Sequence, residues 1–268
     1  MNNTIIEVAP VSFLNHKNNP LTPEEIADEV YRCYKEGATI FHLHVRDEMG
    51  KECKEAEGFL KTIRLIREKC DILININATN FQMLSSYFDE YPEMKICPLH
   101  LGSLTLFNFA LPFTWDQIVH NANKNSEYDL VQEMCIFDLA NIHNAKKIIK
   151  EGNVKNSYLY TFYLNYPGQL PASEKNITIL SEEMDVDDIW FYAECNRNNY
   201  DNIKTALRLG GNIRVGFEDS FYDDETQYPT NHLLVRKVAE LSKQYNRGIA
   251  DIEETKKRLG IKLHGEEI

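Results

Sequence analysis

Two short segments carry residue types that could do chemistry. The first is Phe41-His42-Leu43-His44-Val45-Arg46-Asp47. Residues two apart on a β-strand share a face, so a strand here projects His42 and His44 together. Two neutral imidazoles on one face are half of a zinc site. A hydrogen-bonded pair of core histidines would show the same spacing. The second segment is Arg214-Val215-Gly216-Phe217-Glu218-Asp219. Its adjacent carboxylates point different ways, so Glu218 could complete a two-histidine, one-carboxylate set while Asp219 stays available as a base. Such a set leaves a coordination position for substrate. Arg214 would anchor a carboxylate or hold Asp219 ionised. A solvated acidic loop after a strand is the plainer alternative.

Segments so far apart in the chain must be brought together by the fold. Eight short apolar runs read as strands, at residues 4–8, 38–45, 71–77, 93–100, 130–137, 157–163, 189–193 and 212–216. Helical periods fall between them. Thr22-Pro23-Glu24-Glu25 opens the first with a capping box and a proline in the first turn. Ile26, Val30 and Cys33 hold one helical face until Gly37 stops the run. Further periods cover 57–69, 141–150 and 200–209. Strands alternating with helices of this length predict a closed, parallel (β/α)8 barrel, whose active site lies where the strands run out. The barrel is expected to form one domain over residues 1–268. Residues 104–128 are the least regular stretch and are expected to form a lid or an oligomer contact. The tail from Asn246 reads as a charged helix at the surface or an interface.

Composition narrows the partners. The 268 residues carry a net charge of −12, which repels phosphate backbones and argues against nucleic acid. Hydrophobic residues make up 43% and aromatics 11%, enough for a packed core. No apolar run approaches the roughly 18–20 residues needed to span a bilayer. The start, Met1-Asn2-Asn3-Thr4, lacks the basic residues of a secretory signal, so a cytoplasmic location is expected. The six cysteines form no C-x-x-C pair and are expected to be reduced. No dinucleotide fingerprint or phosphate-binding loop is present.

Taken together, the His42–Asp47 and Arg214–Asp219 segments resemble the β-keto acid cleavage enzyme family. The resemblance runs through Val8-Ala9-Pro10, Leu21 to Glu25, Gly37 to Asp47, Ile66 to Lys69, Leu101 to Leu104, Tyr166-Pro167-Gly168 and Thr230-Asn231. It implies a (β/α)8 barrel assembled as a homodimer or homotetramer. It implies a reaction in which a β-keto acid and acetyl-CoA give acetoacetate and a new acyl-CoA. By the same resemblance His42, His44 and Glu218 match zinc ligands, Asp219 the general base and Arg214 its charge partner. On this reading Asp219 generates a carbanion equivalent from the acetyl thioester, and retro-Claisen cleavage follows.

Several positions depart from the family pattern. Asn77-Ala78-Thr79-Asn80 stands where the family has Ser-Thr-Gly-Gly, leaving Asn77 as the hydrogen-bonding residue toward substrate. Ser103 matches a family threonine near the thioester, and Arg197 a family arginine that would reach the CoA phosphates or else form a surface salt bridge. His100 is expected to contact substrate or to be a satisfied structural histidine. Phe13 and Cys135 stand near positions where the family member acting on 3-keto-5-aminohexanoate receives the substrate ammonium on carboxylates. Without that counter-charge the natural substrate is expected to be larger or more apolar. Two other readings remain: a metal-dependent lyase or hydrolase that does not use CoA, and a metal-binding relative without turnover.

Overall fold

The computed structural model describes residues 2–12, 18–47, 49, 51–106, 109–219 and 230–261. Eight parallel strands close into a barrel: β1 (Ile6–Val8), β2 (Ile40–Leu43), β3 (Leu73–Ile76), β4 (Met94–His100), β7 (Val131–Ile136), β8 (Tyr158–Leu164), β9 (Trp190–Glu194) and β10 (Asn212–Val215). Six fall within the apolar runs, and β8 and β9 each extend one residue past theirs, to Leu164 and Glu194. Closure comes from β1 pairing with β10, which sets Glu7 level with Arg214, and with β2 on its other side.

The helices form where the caps and apolar stripes direct. In α1 (Pro23–Lys35), Thr22 and Glu25 exchange both bonds of the capping box, and Ile26, Val30 and Cys33 are buried. The chain leaves this helix through Gly37, whose φ of +109° suits glycine. The outer layer continues with α2 (Ala56–Arg67), a short α3 (Phe81–Leu84), α5 (Leu139–Lys150), α6 (Glu174–Glu182), α7 (Asp201–Arg208) and α8 (Asn231–Gln244).

Two expectations about regions need correcting. Residues 104–128, expected as the least regular stretch, are regular in structure. They form an antiparallel hairpin, β5 (Leu104–Leu106) with β6 (Phe109–Leu111), and then α4 (Trp115–Glu127). Thr114 and Gln117 make a second capping box, and Ile118 and Ala122 turn the helix onto the core. The tail helix α9 (Ile252–Leu259) does not merely lie on the surface. Leu259 and Ile261 pack against Ile5, Ile40, Leu73, Ile96, Val131, Leu159 and Phe191, the apolar floor of the barrel. Arg247 fastens this closure, donating from Nε to the Asn2 carbonyl and from Nη1 to the carbonyls of Leu207 and Gly211.

Above the floor the interior changes character. The two-residue period of the strands carries Ile5 to Glu7, Ile40 to His42, Leu73 to Asn75 and Val131 to Glu133. The next layer up is therefore polar, although almost fully buried. No helix among the described residues is long and apolar enough to cross a membrane. The six cysteines are free thiols.

Candidate metal centre and active site

His42 on β2 and His44 just beyond it turn the same way, their ring centroids 5.0 Å apart. The carboxylate of Glu218 meets both: its Oε1 lies 3.6 Å from His42 Nε2 and 3.5 Å from His44 Nε2. A tetrahedral ion bound at about 2.0–2.2 Å keeps its donors about 3.3–3.6 Å apart, so the three groups fit a small divalent ion. Glu218 Oε2 is buried without a hydrogen-bond partner, an acceptor that a cation would satisfy. The donor chemistry agrees. Burial pushes the His42 pKa well below its ordinary value, which favours the neutral, ligating imidazole. Burial opposes ionisation of Glu218, but Arg214 and the two imidazoles overcome it and hold its carboxyl well below the usual range.

Asn77 fixes the orientation of His44. Its Oδ1 accepts from the backbone N–H and hydroxyl of Thr79, which turns Nδ2 toward His44 Nε2 at 3.1 Å. The segment after Asn77 is a turn of 3₁₀ helix, Ala78–Asn80.

The turn that presents Glu218 and Asp219 depends on Gly216. Its φ is +156°, and a Cβ there would lie 2.0 Å from the carbonyl oxygen of Ala9. The close approach lets Ala9 accept from the Glu218 N–H at 3.1 Å. Asn231, wholly buried, braces the same turn by accepting from the Phe217 N–H and donating to the Pro10 carbonyl. Asp219 then lies within Arg214's reach, with Nε and Nη2 both 3.2 Å from its oxygens. Tyr166 donates to Asp219 Oδ1 at 2.6 Å. Burial raises the Asp219 pKa against the pull of Arg214, and Glu218 raises it further.

Four buried residues beside this site, Glu7, Asn75, Glu133 and Tyr163, were not singled out from the sequence. Asn75 donates to Glu7 Oε1 at 2.8 Å and to Glu133 Oε2 at 2.7 Å, and Tyr163 donates to Glu133 Oε1 at 2.6 Å. Glu7 lies 3.6 Å from Arg214 Nη1 and 3.9 Å from His42 Nδ1. Burial, then the Glu133 charge, pushes the Glu7 pKa up to about 8. A signal for Glu7 was present: a lone carboxylate in an apolar strand, two residues along from an inward isoleucine.

The remaining expected residues are distributed unevenly. His100 lies beside the site, its ring 5.1 Å from Phe113 and 6.3 Å from Phe137. Ser103 exchanges hydrogen bonds with the backbone of Phe113 and so closes the base of the β5–β6 hairpin. Arg197 is 7% exposed and lies 5.2 Å from the Tyr200 ring, beneath the surface. Cys135 packs in the cluster with Phe137 and Tyr163. Phe13 lies outside the described residues.

A closed parallel barrel whose mouth brings together two histidines and a carboxylate that could hold a metal, beside a second buried carboxylate, defines a (β/α)8 protein with a candidate divalent-metal centre. A profile of the beta-keto acid cleavage enzyme family matches residues 3–261, and the chain belongs to that family. It is thus an acyltransferase that cleaves a carbon–carbon bond. It is 32% identical over 253 residues to the 3-keto-5-aminohexanoate cleavage enzyme of Fusobacterium nucleatum, covering 91% of each chain. It is 25% identical over 270 residues to the 3-oxoadipate:acetyl-CoA acetyltransferase of Cupriavidus necator, covering 96% and 94%. Among solved structures, apo ObcA superposes with a TM-score of 0.74 at 12% identity, covering 92% of this chain and 66% of that longer one. That likeness is one of fold.

Proposed function

We propose that the chain is a zinc-dependent β-keto acid cleavage enzyme that converts a β-keto acid and acetyl-CoA into acetoacetate and a new acyl-CoA. The carrying observation is the convergence of His42, His44 and Glu218 on one point, with a buried carboxylate of raised pKa on the next residue. His42, His44 and Glu218 would hold the ion. When bound, zinc supplies Lewis acidity at the 3-keto oxygen and so makes C2 more acidic.

Atom balance assigns the proton-transfer step differently from the sequence expectation. An acetyl carbanion attacking C3 would leave acetate and a 3-oxoacyl thioester. Acetoacetate requires that C2 of the β-keto acid join the acetyl carbonyl. Asp219 therefore takes a C2 proton, and the C2 electron pair attacks the thioester and expels CoA thiolate. The thiolate then attacks C3, and the C2–C3 bond breaks to give acyl-CoA. The C2 carbanion of acetoacetate recovers its proton from Asp219. A base of raised pKa suits both transfers. Arg214 holds the Asp219 carboxylate in place, and Tyr166 fixes the oxygen it contacts.

Asn77 would orient substrate beside His44, with His100 and Ser103 on the β4 side and Arg197 toward the CoA phosphates. We propose in addition a cytoplasmic homodimer or homotetramer, which sedimentation would check. The metal content of purified protein and acetyl-CoA-dependent release of acetoacetate test the reading. About one zinc per chain, a melting temperature raised by CoA thioesters and acetoacetate formation are expected. Zinc binding with neither CoA effect would move the assignment to a lyase or hydrolase independent of CoA. A chain that takes up no metal would sink the site assignment.

A further inference from the structure

Opposite the metal ligands, the ends of β4, β7 and β8 carry a continuous wall of rings. Phe137 stacks on Tyr163 with centroids 5.2 Å apart, and His100 stacks on Phe137 at 6.3 Å. Phe113 extends the row from His100 at 5.1 Å. Tyr166 closes it edge-on, 6.0 Å from Phe137 and 5.9 Å from Tyr163. The wall touches the catalytic groups directly: Tyr166 is bonded to Asp219, and Arg214 lies 5.2 Å from the Tyr163 ring. His100, Phe113 and Tyr166 keep part of their surface accessible, whereas Phe137 and Tyr163 back them from within.

This wall offers no charge to a ligand. The tyrosine hydroxyls are engaged by Glu133 and Asp219. Burial lowers the His100 pKa to about 4, so its ring is neutral at neutral pH. An aromatic cage could in principle hold an ammonium by cation–π attraction. Here the rings lie against one another, and Arg214 already covers Tyr163, so a second cation would meet that guanidinium. A carboxylate fares no better, because the single charge of Arg214 already faces three carboxylates, Glu7, Glu218 and Asp219. Burying an unpaired charge of either sign is unfavourable, while burying methylenes is favourable.

We propose that this ring wall receives the acyl group of the β-keto acid, and that the chain selects uncharged, apolar acyl groups over those ending in an ammonium or a second carboxylate. The proposal rests on the acyl-transfer reading above. It separates this chain from the two relatives named, whose substrates carry an amino group in one case and a second carboxylate in the other.

The test uses the full-length, zinc-loaded protein with 3-oxohexanoate, 3-oxooctanoate, 3-oxoadipate and 3-keto-5-aminohexanoate. kcat/KM with acetyl-CoA is measured, and binding of each acid alone is followed by calorimetry. The two uncharged acids should exceed both charged ones by at least about 100-fold, with a gain of about fourfold per added methylene until the wall is covered. A Phe113→Lys variant should move the ratio of 3-oxoadipate to 3-oxohexanoate up by about tenfold, whereas Phe113→Leu should keep the original order. A charged acid that equals or exceeds the uncharged ones overturns the proposal and leaves the acyl-transfer reading standing. Absence of turnover with every acid counts against the acyl-transfer reading instead. The order of dissociation constants then decides: tightest binding of the apolar acids supports the wall's role, and equal binding overturns it.

Discussion

The two sides of the barrel mouth are built on opposite principles. On the β1, β2 and β10 side, Glu7, His42, His44, Arg214, Glu218 and Asp219 lie in one buried network of charge, with each carboxylate set by its neighbours. On the β4, β7 and β8 side, rings pack on rings and the polar atoms are their edges. Arg214 belongs to both, bonded to the carboxylates and lying over Tyr163. On the two proposals above, reaction type is a property of the charged side and substrate choice a property of the aromatic side. The two can vary separately as long as Arg214 stays.

That separation can be broken in graded ways. Glu218→Gln removes the anionic ligand; metal content should fall from about one per chain to near zero, and turnover of every acid by about a thousandfold or more. Elemental analysis beside steady-state rates checks it, and a metal-replete variant would contradict the ligand assignment. Asp219→Asn should keep the metal and cost about 10²–10⁴ in kcat, equally for all acids. An effect confined to one substrate would place Asp219 in binding. Gly216→Ala forces a Cβ into the Ala9 carbonyl and should cost roughly 2–4 kcal/mol of stability, with weaker metal binding because Glu218 moves with the turn. Thermal melts and metal titration read both effects together.

Changes on the aromatic side should be smaller and selective. Phe137→Leu should shift the kcat/KM ratio between long and short acyl acids by about tenfold with metal content unchanged; a uniform loss across all acids would blur the division. The mildest effect concerns pH. The His100 pKa is depressed from 6.5 to about 4 in the folded chain. The unfolded chain therefore takes up that proton first as pH falls. The contribution is complete above about 6.5 and is lost on going down through about 4. Replacing His100 by Phe should flatten the fall in melting temperature across that window by several degrees, and an unaltered slope would assign the acid sensitivity elsewhere.

The same two sides differ in how far the sequence discloses them. The eight strands were legible because each is a short apolar run bounded by helix caps and turn residues. The candidate ligands were legible because His-x-His puts both rings on one strand face, and Glu-Asp follows the last strand. The helix α4 was missed because it follows a hairpin and its stripe holds Asn125 along with Ile118 and Ala122. Glu7, Tyr163 and Tyr166 acquire their roles only through barrel closure. Tyr166 reaches Asp219 across 53 positions of chain, and no local pattern encodes that contact. His100 could be placed at a strand end, but its ring neighbours come from the hairpin and from β7. Ser103 was matched to a substrate role by position, while its hydroxyl is engaged by the Phe113 backbone.

The closure of the barrel floor has a consequence for biosynthesis. A ribosome delivers Ile6 long before its partner Ile213, and longer still before Arg247 reaches back to Asn2 or Ile261 covers the floor. The earliest strand is thus among the last to be fully paired, and a nascent chain must carry β1 with an open edge until β10 emerges and an uncovered floor until α9 follows. A message truncated before α9 would yield a barrel with its apolar underside uncovered, a form that chaperones and proteases should recognise.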